Sequence, residues 1–186
     1  MLNLWQLQQR QGLPLDLKIK LSKTRIEDWY EYYEGEVYFC FSGSNKSVVL
    51  LHLLRESYPN ISVIFVSTGL KSDKVREFAK RQGNILCINP KNTFLYRLKR
   101  KLYRLIFFNK YSKIIKKETL IDYEKQTNKK SFTTFMAEEN NRKIKKYLKS
   151  GCNSPLDKRP ISKPLSFWTK EDIFNYVRIY KLKILT

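Results

Sequence analysis

The chain has 186 residues, of which 42% are hydrophobic, and its 37 Lys and Arg outnumber its 17 Asp and Glu to give a formal net charge of +20. This length supports one domain with a sizeable core, and the hydrophobic content excludes a disordered basic tail. So strong a positive field attracts nucleic acid, an anionic membrane or an acidic protein. A membrane partner is not expected, because no apolar run reaches the length of a span and residues 1–10 are too polar for a signal peptide.

The first third of the chain predicts two helices followed by the first strand. Residues 2–11 and 15–33 have helical character, with Ser22 or Thr24 as N-caps in the second segment. The aromatic and β-branched run 37–41 is typical of a buried strand.

The next residues alternate between strand and helix. Further strands are predicted at 61–66 and 84–89, and helices at 47–57 and from Ser72 or Asp73 to Arg81. This alternation predicts right-handed βαβ units and therefore a parallel sheet with helices on both faces.

The second half of the chain carries most of the clustered charge. Residues 91–117 contain ten Lys or Arg and no acid, with Leu at helical spacing. A polar connector at 122–130, a strand at 131–135 and a second basic helix at 136–148 are predicted next. A loop at 151–164 and a helix at 170–181, capped by Thr169 through Asp172, complete the chain. The predicted basic binding surface comprises Arg97, Lys99, Arg100, Lys101, Arg104, Lys110, Lys113, Arg142, Lys143, Lys145, Lys146 and Lys149.

The three cysteines, Cys40, Cys87 and Cys152, are widely spaced and form no CxxC pair. An odd number without a disulfide framework predicts a reducing, cytoplasmic location, and no metal site is expected. Cys40 and Cys87 fall in predicted buried strands. His52, the only histidine, is assigned to packing.

The most informative stretch is 37–47, in which a strand stops in a Ser/Gly/Asn loop and a helix begins at once. Backbone N–H groups at a helix N-terminus form a pocket for phosphate or another anion. The candidate anion-binding residues are Ser42, Gly43, Ser44, Asn45, Lys46 and Ser47 of this loop, together with Thr68 and Gly69 after the second strand.

The chain resembles the phosphoadenosine phosphosulfate (PAPS) reductase family through four collinear blocks. The blocks are the strand–loop–helix unit at 37–54, IFVSTGLKSDKVREF at 64–78, FMAEENNRKIKKYLKSGCN at 135–153 and RPISKPLSFWTKEDIFNY at 159–176. The resemblance implies an adenine nucleotide α-hydrolase-like fold with a pyrophosphate-binding loop. No cofactor is expected for this chain. If it does bind one, the resemblance implies an adenine nucleotide.

The chain departs from this family where chemistry is expected. The family loop SGGKDS has become Ser42 to Ser47 with Ser44, Asn45 and Lys46 in place of Gly, Lys and Asp. The aspartate of the second block is Ser67. The two arginines of the third block are Asn141 and Lys143, and a lysine lacks the bidentate fork of arginine. The cysteine-bearing segment of the family is absent.

These losses favour a catalytically degenerate family member that serves as a binding module, with no catalytic residue assigned. Its expected partner is nucleic acid, or an acidic protein or ribonucleoprotein surface. A phage-type inhibitor of a host defence system, such as a CRISPR effector, would suit a small basic protein of this kind. The alternatives are an active PAPS reductase or sulfotransferase-type enzyme, with Lys46 replacing the loop lysine and Cys152 the only cysteine in a loop, and a non-hydrolysing adenine-nucleotide sensor.

The expected organisation is a single domain over 1–186. It comprises a helical N-terminal extension at 1–35, a nucleotide-binding-like core at 36–90, a basic insert at 91–130 and the C-terminal part of the fold at 131–186.

Overall fold

A computed structural model describes residues 2–67, 73–90 and 108–185 of the chain. The α-helices in this part are α1 (Leu4–Gln11), α2 (Leu15–Tyr32), α3 (Asn45–Ser57), α4 (Asp73–Arg81), α5 (Phe108–Thr127), α6 (Asn141–Ser150) and α7 (Lys170–Ile179). The strands are β1 (Val37–Phe41), β2 (Ser62–Val66), β3 (Leu86–Ile88), β4 (Lys130–Phe132), β5 (Asn153–Ser154) and β6 (Ile161–Ser162).

The described strands form one sheet in the order β3-β2-β1-β4-β6-β5. All neighbouring pairs are parallel except β5 with β6. The expected fold class is therefore confirmed, and so is the prediction that the first three strands are parallel neighbours. The loop after β1 lies at the carboxyl edge of the sheet, where such folds bind ligands.

The sheet has two faces with different packing, because successive side chains along each strand point to opposite sides. Phe39 and Phe41 of β1 belong to the main hydrophobic core, which also includes buried residues of α1, α2, α3, α4, α6 and α7. Tyr38, which lies between them in sequence, points to the other face. There its ring packs edge to face on Tyr123 of α5, with centroids 5.0 Å apart.

Buried polar pairs connect α2 to α7 and to Trp168, which lies just before α7. Lys18 Nζ of α2 donates to Asp172 Oδ2 of α7 over 2.6 Å, and the Trp168 indole donates to Ser22 Oγ. The prediction that Ser22 or Thr24 caps a helix is wrong, because α2 runs unbroken from Leu15. The predicted cap at Thr169 is confirmed by a complete capping box with Asp172.

Several predicted boundaries need correction, and one of them is the strand predicted at 131–135, which is Lys130–Phe132. The polar connector predicted at 122–130 is wrong, because α5 continues to Thr127. The helix predicted at 136–148 is interrupted by a 3₁₀ turn at Ala137–Glu139, and Asn140, with φ of −172°, then caps α6. The loop predicted at 151–164 contains the two-residue strands β5 and β6.

Cys87 lies in an exposed position, contrary to the buried strand predicted for it. The reason is that β3 is the outermost strand on its side of the described sheet, so Leu86 is 60% exposed as well. Cys40 of β1 is half-buried.

Candidate functional site

The loop that joins β1 to α3 turns at Gly43, whose φ of +82° is rarely adopted by other residues. A Cβ atom at this position would lie 2.8 Å from Val75 Cγ1 of α4. The backbone conformation and the close approach of α4 therefore both require glycine here.

Ser44, which replaces the second glycine of the family loop, has an ordinary extended conformation with φ of −78°. It is the N-cap of α3, and its hydroxyl accepts a hydrogen bond from the Ser47 N–H over 3.4 Å. The Ser47 hydroxyl donates in return to the Ser44 carbonyl over 2.7 Å. The serine therefore introduces no backbone strain and stabilises the start of α3.

The predicted loop residues are brought together at the N-terminus of α3. In the part of the chain that the structure describes, the N–H groups of Asn45 and Lys46 have no hydrogen-bond acceptor. They lie at the positive end of the helix dipole, where an anion would be stabilised. Thr68 and Gly69, the other two predicted residues of this site, lie outside the described residues.

A carboxylate neutralises the lysine of this loop. Glu139 accepts hydrogen bonds from both Lys46 and Lys143. Burial would raise the pKa of the Glu139 carboxyl, but the hydrogen bonds from Lys143 and Lys46 hold it below its usual range. Glu139 is consequently ionised at neutral pH, and the charge of Lys46 is balanced within the protein.

Ser67 stands at the end of β2, where the family resemblance leads one to expect an aspartate. Its hydroxyl accepts a hydrogen bond from Arg76 Nη2 of α4 over 3.0 Å. A neutral hydroxyl in this position lacks the charge that a carboxylate would bring to a metal-bound or protonated ligand.

The described residues include part of the predicted basic surface. Arg142, Lys145, Lys146 and Lys149 are exposed along one side of α6, while Tyr147 on the other side is buried. Lys113 is exposed on α5, but Lys143 is engaged by Glu139. Arg97, Lys99, Arg100, Lys101, Arg104 and the side chain of Lys110 lie outside the described residues.

Sequence reasoning missed a cavity of about 510 Å³ between α5 and the sheet. Its floor is formed by β1, β4 and β6, and its walls by α5 and the 157–159 turn. The lining residues are Tyr38, Cys40, Lys116, Lys117, Leu120, Ser131, Phe132, Thr133, Thr134, Lys146, Asp157, Lys158, Arg159 and Ile161. Five are basic and one is acidic, so the cavity favours an anionic ligand.

A half-buried network holds the two walls of this cavity in place. Arg159 donates two hydrogen bonds of 2.8 Å to the Glu124 carboxylate, and the Tyr38 hydroxyl donates to the same group over 2.7 Å. Burial and the hydrogen bond to Glu124 raise the pKa of Tyr38, so its hydroxyl stays protonated. This network ties α5 to β1 and to the 157–159 turn.

Cys152 is not placed for catalysis. It is buried, and its sulfur lies 3.1 Å from the Ser166 hydroxyl. Among the described residues, no group of three or more His, Cys, Asp or Glu could hold a metal ion. The helices within residues 2–67, 73–90 and 108–185 include none that could cross a bilayer.

The sequence of residues 36–186 matches the model of the phosphoadenosine phosphosulfate reductase domain. A comparison with curated proteins gives no match. Binding of an adenine nucleotide is typical of the matched family.

Solved structures share the fold at low sequence identity. The PAPS reductase of Candida auris in complex with phosphate has a TM-score of 0.64 at 13% identity, over 91% of this chain and 87% of that one. The U34-tRNA thiolase NcsA of Methanococcus maripaludis, with its [4Fe-4S] cluster, has a TM-score of 0.61 at 15% identity, over 92% and 67%. The NH3-dependent NAD synthetase of Campylobacter jejuni has a TM-score of 0.63 at 14% identity, over 92% of this chain and 75% of that one.

Proposed function

We propose that this chain, which belongs to the phosphoadenosine phosphosulfate reductase domain family, is a catalytically inactive member that binds nucleic acid through the face covered by α5. The observation that carries the proposal is the basic cavity between α5 and the sheet. Lysines neutralise phosphates and release their counterions, which provides most of the affinity for a nucleic-acid backbone.

The charge of this cavity is available to a ligand. Lys117, Lys146 and Lys158 are exposed, and none of them forms an ion pair within the described residues. Arg159 is held by Glu124 and serves as a wall of the cavity. Lys146 Nζ lies 6.0 Å from the centre of the Phe135 ring, a contact that leaves its charge uncompensated. The three ammonium groups around one opening repel one another, and a polyanion would neutralise them.

The pyrophosphate-binding loop supports an inactive role. The lysine and aspartate of the family loop are replaced by Asn45 and Lys46, and the ammonium group of Lys46 is already paired with Glu139. A substrate phosphate would therefore have to compete with an internal carboxylate. Loss of the aspartate at Ser67 removes a further charged group from the same edge of the sheet.

Charge reversal of the cavity mouth tests the proposal. The triple variant Lys117→Glu, Lys146→Glu and Lys158→Glu should reduce affinity for a labelled 20-nucleotide DNA or RNA by roughly tenfold or more at low salt, since each lost phosphate contact removes counterion release. Fluorescence anisotropy at two salt concentrations measures the affinity and its salt dependence.

A matched variant distinguishes binding at the cavity from attraction by the overall positive charge of the protein. Lys20, Lys80 and Lys183 are exposed lysines that do not line the cavity, and reversing all three changes the net charge equally. This control should retain most of the affinity and a similar salt slope. Equal losses in the two triples, or no binding by the unmodified protein, would overturn the proposal. In the latter case an acidic protein or ribonucleoprotein surface, as expected for an inhibitor of a host defence effector, becomes the partner to test.

Retained nucleotide binding is the second candidate function. It is favoured by the N–H groups of Asn45 and Lys46, which lie at the N-terminus of α3 without an acceptor in the described residues. Isothermal titration with ATP or PAPS, compared with the Gly43→Ala variant, tests this sensor role independently of the α5 face.

A further inference from the structure

Ser131 lies at the centre of the cavity floor. It is aligned with Tyr38 of β1 on one side and with Ile161 of β6 on the other. Residues aligned in neighbouring parallel strands point to the same face of a sheet, and all three line the cavity. Ser131 is nevertheless only 3% exposed, so its hydroxyl is removed from bulk water.

The hydroxyl of Ser131 has no hydrogen-bond partner among the described residues. A buried polar group without a partner is destabilising, and natural proteins rarely retain one without a reason. The other such atom in the described part of the chain, Trp29 Nε1, belongs to the main core and not to the cavity. A ligand in the cavity would provide the partner that Ser131 lacks.

The cavity has the composition of a site for a partly aromatic, partly anionic ligand. Its floor and one wall present Tyr38, Ile161 and Leu120, while the lysines gather around them. Its volume of about 510 Å³ lies within the roughly 300–1,000 Å³ of typical small-ligand sites. An inorganic anion would leave the apolar floor unoccupied, whereas a nucleotide has a planar base and a phosphate to match both parts.

Basic residues continue beyond the cavity on both sides. Lys158 and Arg159 are shared with a neighbouring depression of about 410 Å³ that also presents Lys125, Lys129 and Lys130. On the side of α6, the exposed Arg142, Lys145 and Lys149 continue from Lys146. A free mononucleotide cannot reach these cations, but the backbone of a longer strand can.

We infer that the cavity accepts one unstacked nucleotide of a single-stranded nucleic acid, whose base or sugar forms a hydrogen bond with the Ser131 hydroxyl. The neighbouring phosphates lie on the lysines that flank the opening. Bases in a duplex are paired and stacked, so only a single strand can present one without the cost of unpairing. This inference rests on the proposed function and adds the class of nucleic acid and the residue that contacts it.

The Ser131→Ala variant tests the inference against a merely structural role. Loss of one hydrogen bond should weaken binding of a 20-nucleotide single strand by roughly twofold to tenfold. The same change should leave the melting temperature of the free protein unchanged or raised, because it removes an unsatisfied polar group. Affinity is measured by anisotropy and stability by thermal denaturation.

Ser162→Ala provides the matched control. Ser162 is also a buried serine in the sheet, but its hydroxyl donates to Asn153 Oδ1 over 2.8 Å. This variant should melt at a lower temperature and bind the strand with unchanged affinity. Ser131→Ala is therefore expected to lower the affinity without lowering the melting temperature, and Ser162→Ala to lower the melting temperature without changing the affinity.

Two further measurements complete the experiment. The unmodified protein should bind the single strand at least tenfold more tightly than the duplex of the same sequence, and free AMP should compete far more weakly than the strand. Equal affinity for duplex and single strand, undiminished binding by Ser131→Ala, or competition by AMP at the same concentration as the strand would each overturn the inference. If these results occur while charge reversal still abolishes binding, the proposed function stands and only the inference fails; if the unmodified protein binds neither form, both fail.

Discussion

At the residue scale, Gly43 shows how one position can be constrained twice. Its φ of +82° excludes most side chains, and the nearby Val75 Cγ1 leaves no space for a Cβ atom. Gly12, in contrast, has φ of −82° and no close neighbour within 3.4 Å of a built Cβ atom.

Gly43→Ala should therefore destabilise the protein by about 1–3 kcal/mol, the typical cost of an unfavourable backbone conformation. Gly12→Ala is the matched control and should change stability much less. Urea denaturation measures both. The double variant Gly43→Ala with Val75→Ala should recover only the steric part of the loss; full recovery would contradict the role assigned to the backbone.

Lys163 is the second residue with an unusual environment. Its ammonium group is buried and donates to Ser150 Oγ over 2.7 Å and to Ser154 Oγ over 2.8 Å. Burial, together with the charge of Lys146, lowers the pKa of Lys163 from 10.5 to about 8, although Asp157 and Cys152 act in the opposite direction. The unfolded chain therefore holds a proton between pH 8 and 10.5 that the folded protein has released.

Stability should rise with pH in this window, because the unfolded state binds more protons than the native state. Below pH 8 both states are protonated, so the contribution is constant there. The free energy of unfolding should gain about 1.5 kcal/mol from Lys163 between pH 8 and 9.5. This gain is the difference in pH dependence between the unmodified protein and Lys163→Met, measured by urea denaturation. Parallel pH profiles for the two proteins would contradict the lowered pKa.

At the element scale, helix α5 illustrates why local sequence misplaces a boundary. Residues 122–127 are polar enough to predict a connector, yet they remain helical. Tyr123 packs on Tyr38, and Glu124 accepts hydrogen bonds from Tyr38 and Arg159. These partners are distant in sequence, and tertiary contacts of this kind override local propensity.

The start of α6, in contrast, has a signal in the sequence that the helix predicted from 136 overlooked. Asn140 accepts a hydrogen bond from the Lys143 N–H over 3.0 Å, and asparagine is among the strongest N-caps. The strands β5 and β6 left no comparable pattern, since two residues cannot show an alternation. The long buried strands β1 and β2 were predicted to within one residue because their apolar runs are continuous.

The two candidate sites, the loop after β1 and the cavity beneath α5, also differ in how far the sequence predicts them. The loop after β1 is contiguous, so its residues could be identified together from the sequence. The cavity beneath α5 combines residues from β1, α5, β4, α6, β6 and the 157–159 turn. Ser131 in particular carries no signal in the sequence, because its significance depends on the partner that its hydroxyl lacks in the fold.

At the scale of the whole molecule, the charges are unevenly distributed. Five of the 17 acidic residues lie within ten positions at the end of α2 and the start of β1, all exposed: Glu27, Asp28, Glu31, Glu34 and Glu36. Helix α2 packs on the opposite side of the sheet from α5. A positive α5 face and an acidic end on the other face would orient an approaching polyanion before contact.

The residues around the loop after β1 bear on whether the protein can be catalytic. The described fold retains the sheet and the loop that define the family, but the charged groups of the loop are exchanged or neutralised internally. Glu139 holds Lys46, Ser44 caps α3, and Ser67 pairs with Arg76. Under the proposed function, the scaffold is preserved while fewer charged groups remain at this edge to act on a nucleotide.

The protein should accordingly show no turnover of PAPS or ATP. Purified protein is incubated with each nucleotide, with a dithiol reductant in the PAPS reaction, and sulfite release and nucleotide products are quantified by chromatography. The result should not differ between the unmodified protein, Lys46→Ala and the exposed-lysine control Lys20→Ala. Multiple turnovers that disappear in Lys46→Ala and persist in Lys20→Ala would contradict the prediction. Such a result would mean that substrate displaces Glu139 from Lys46 and that this lysine serves in place of the missing loop lysine.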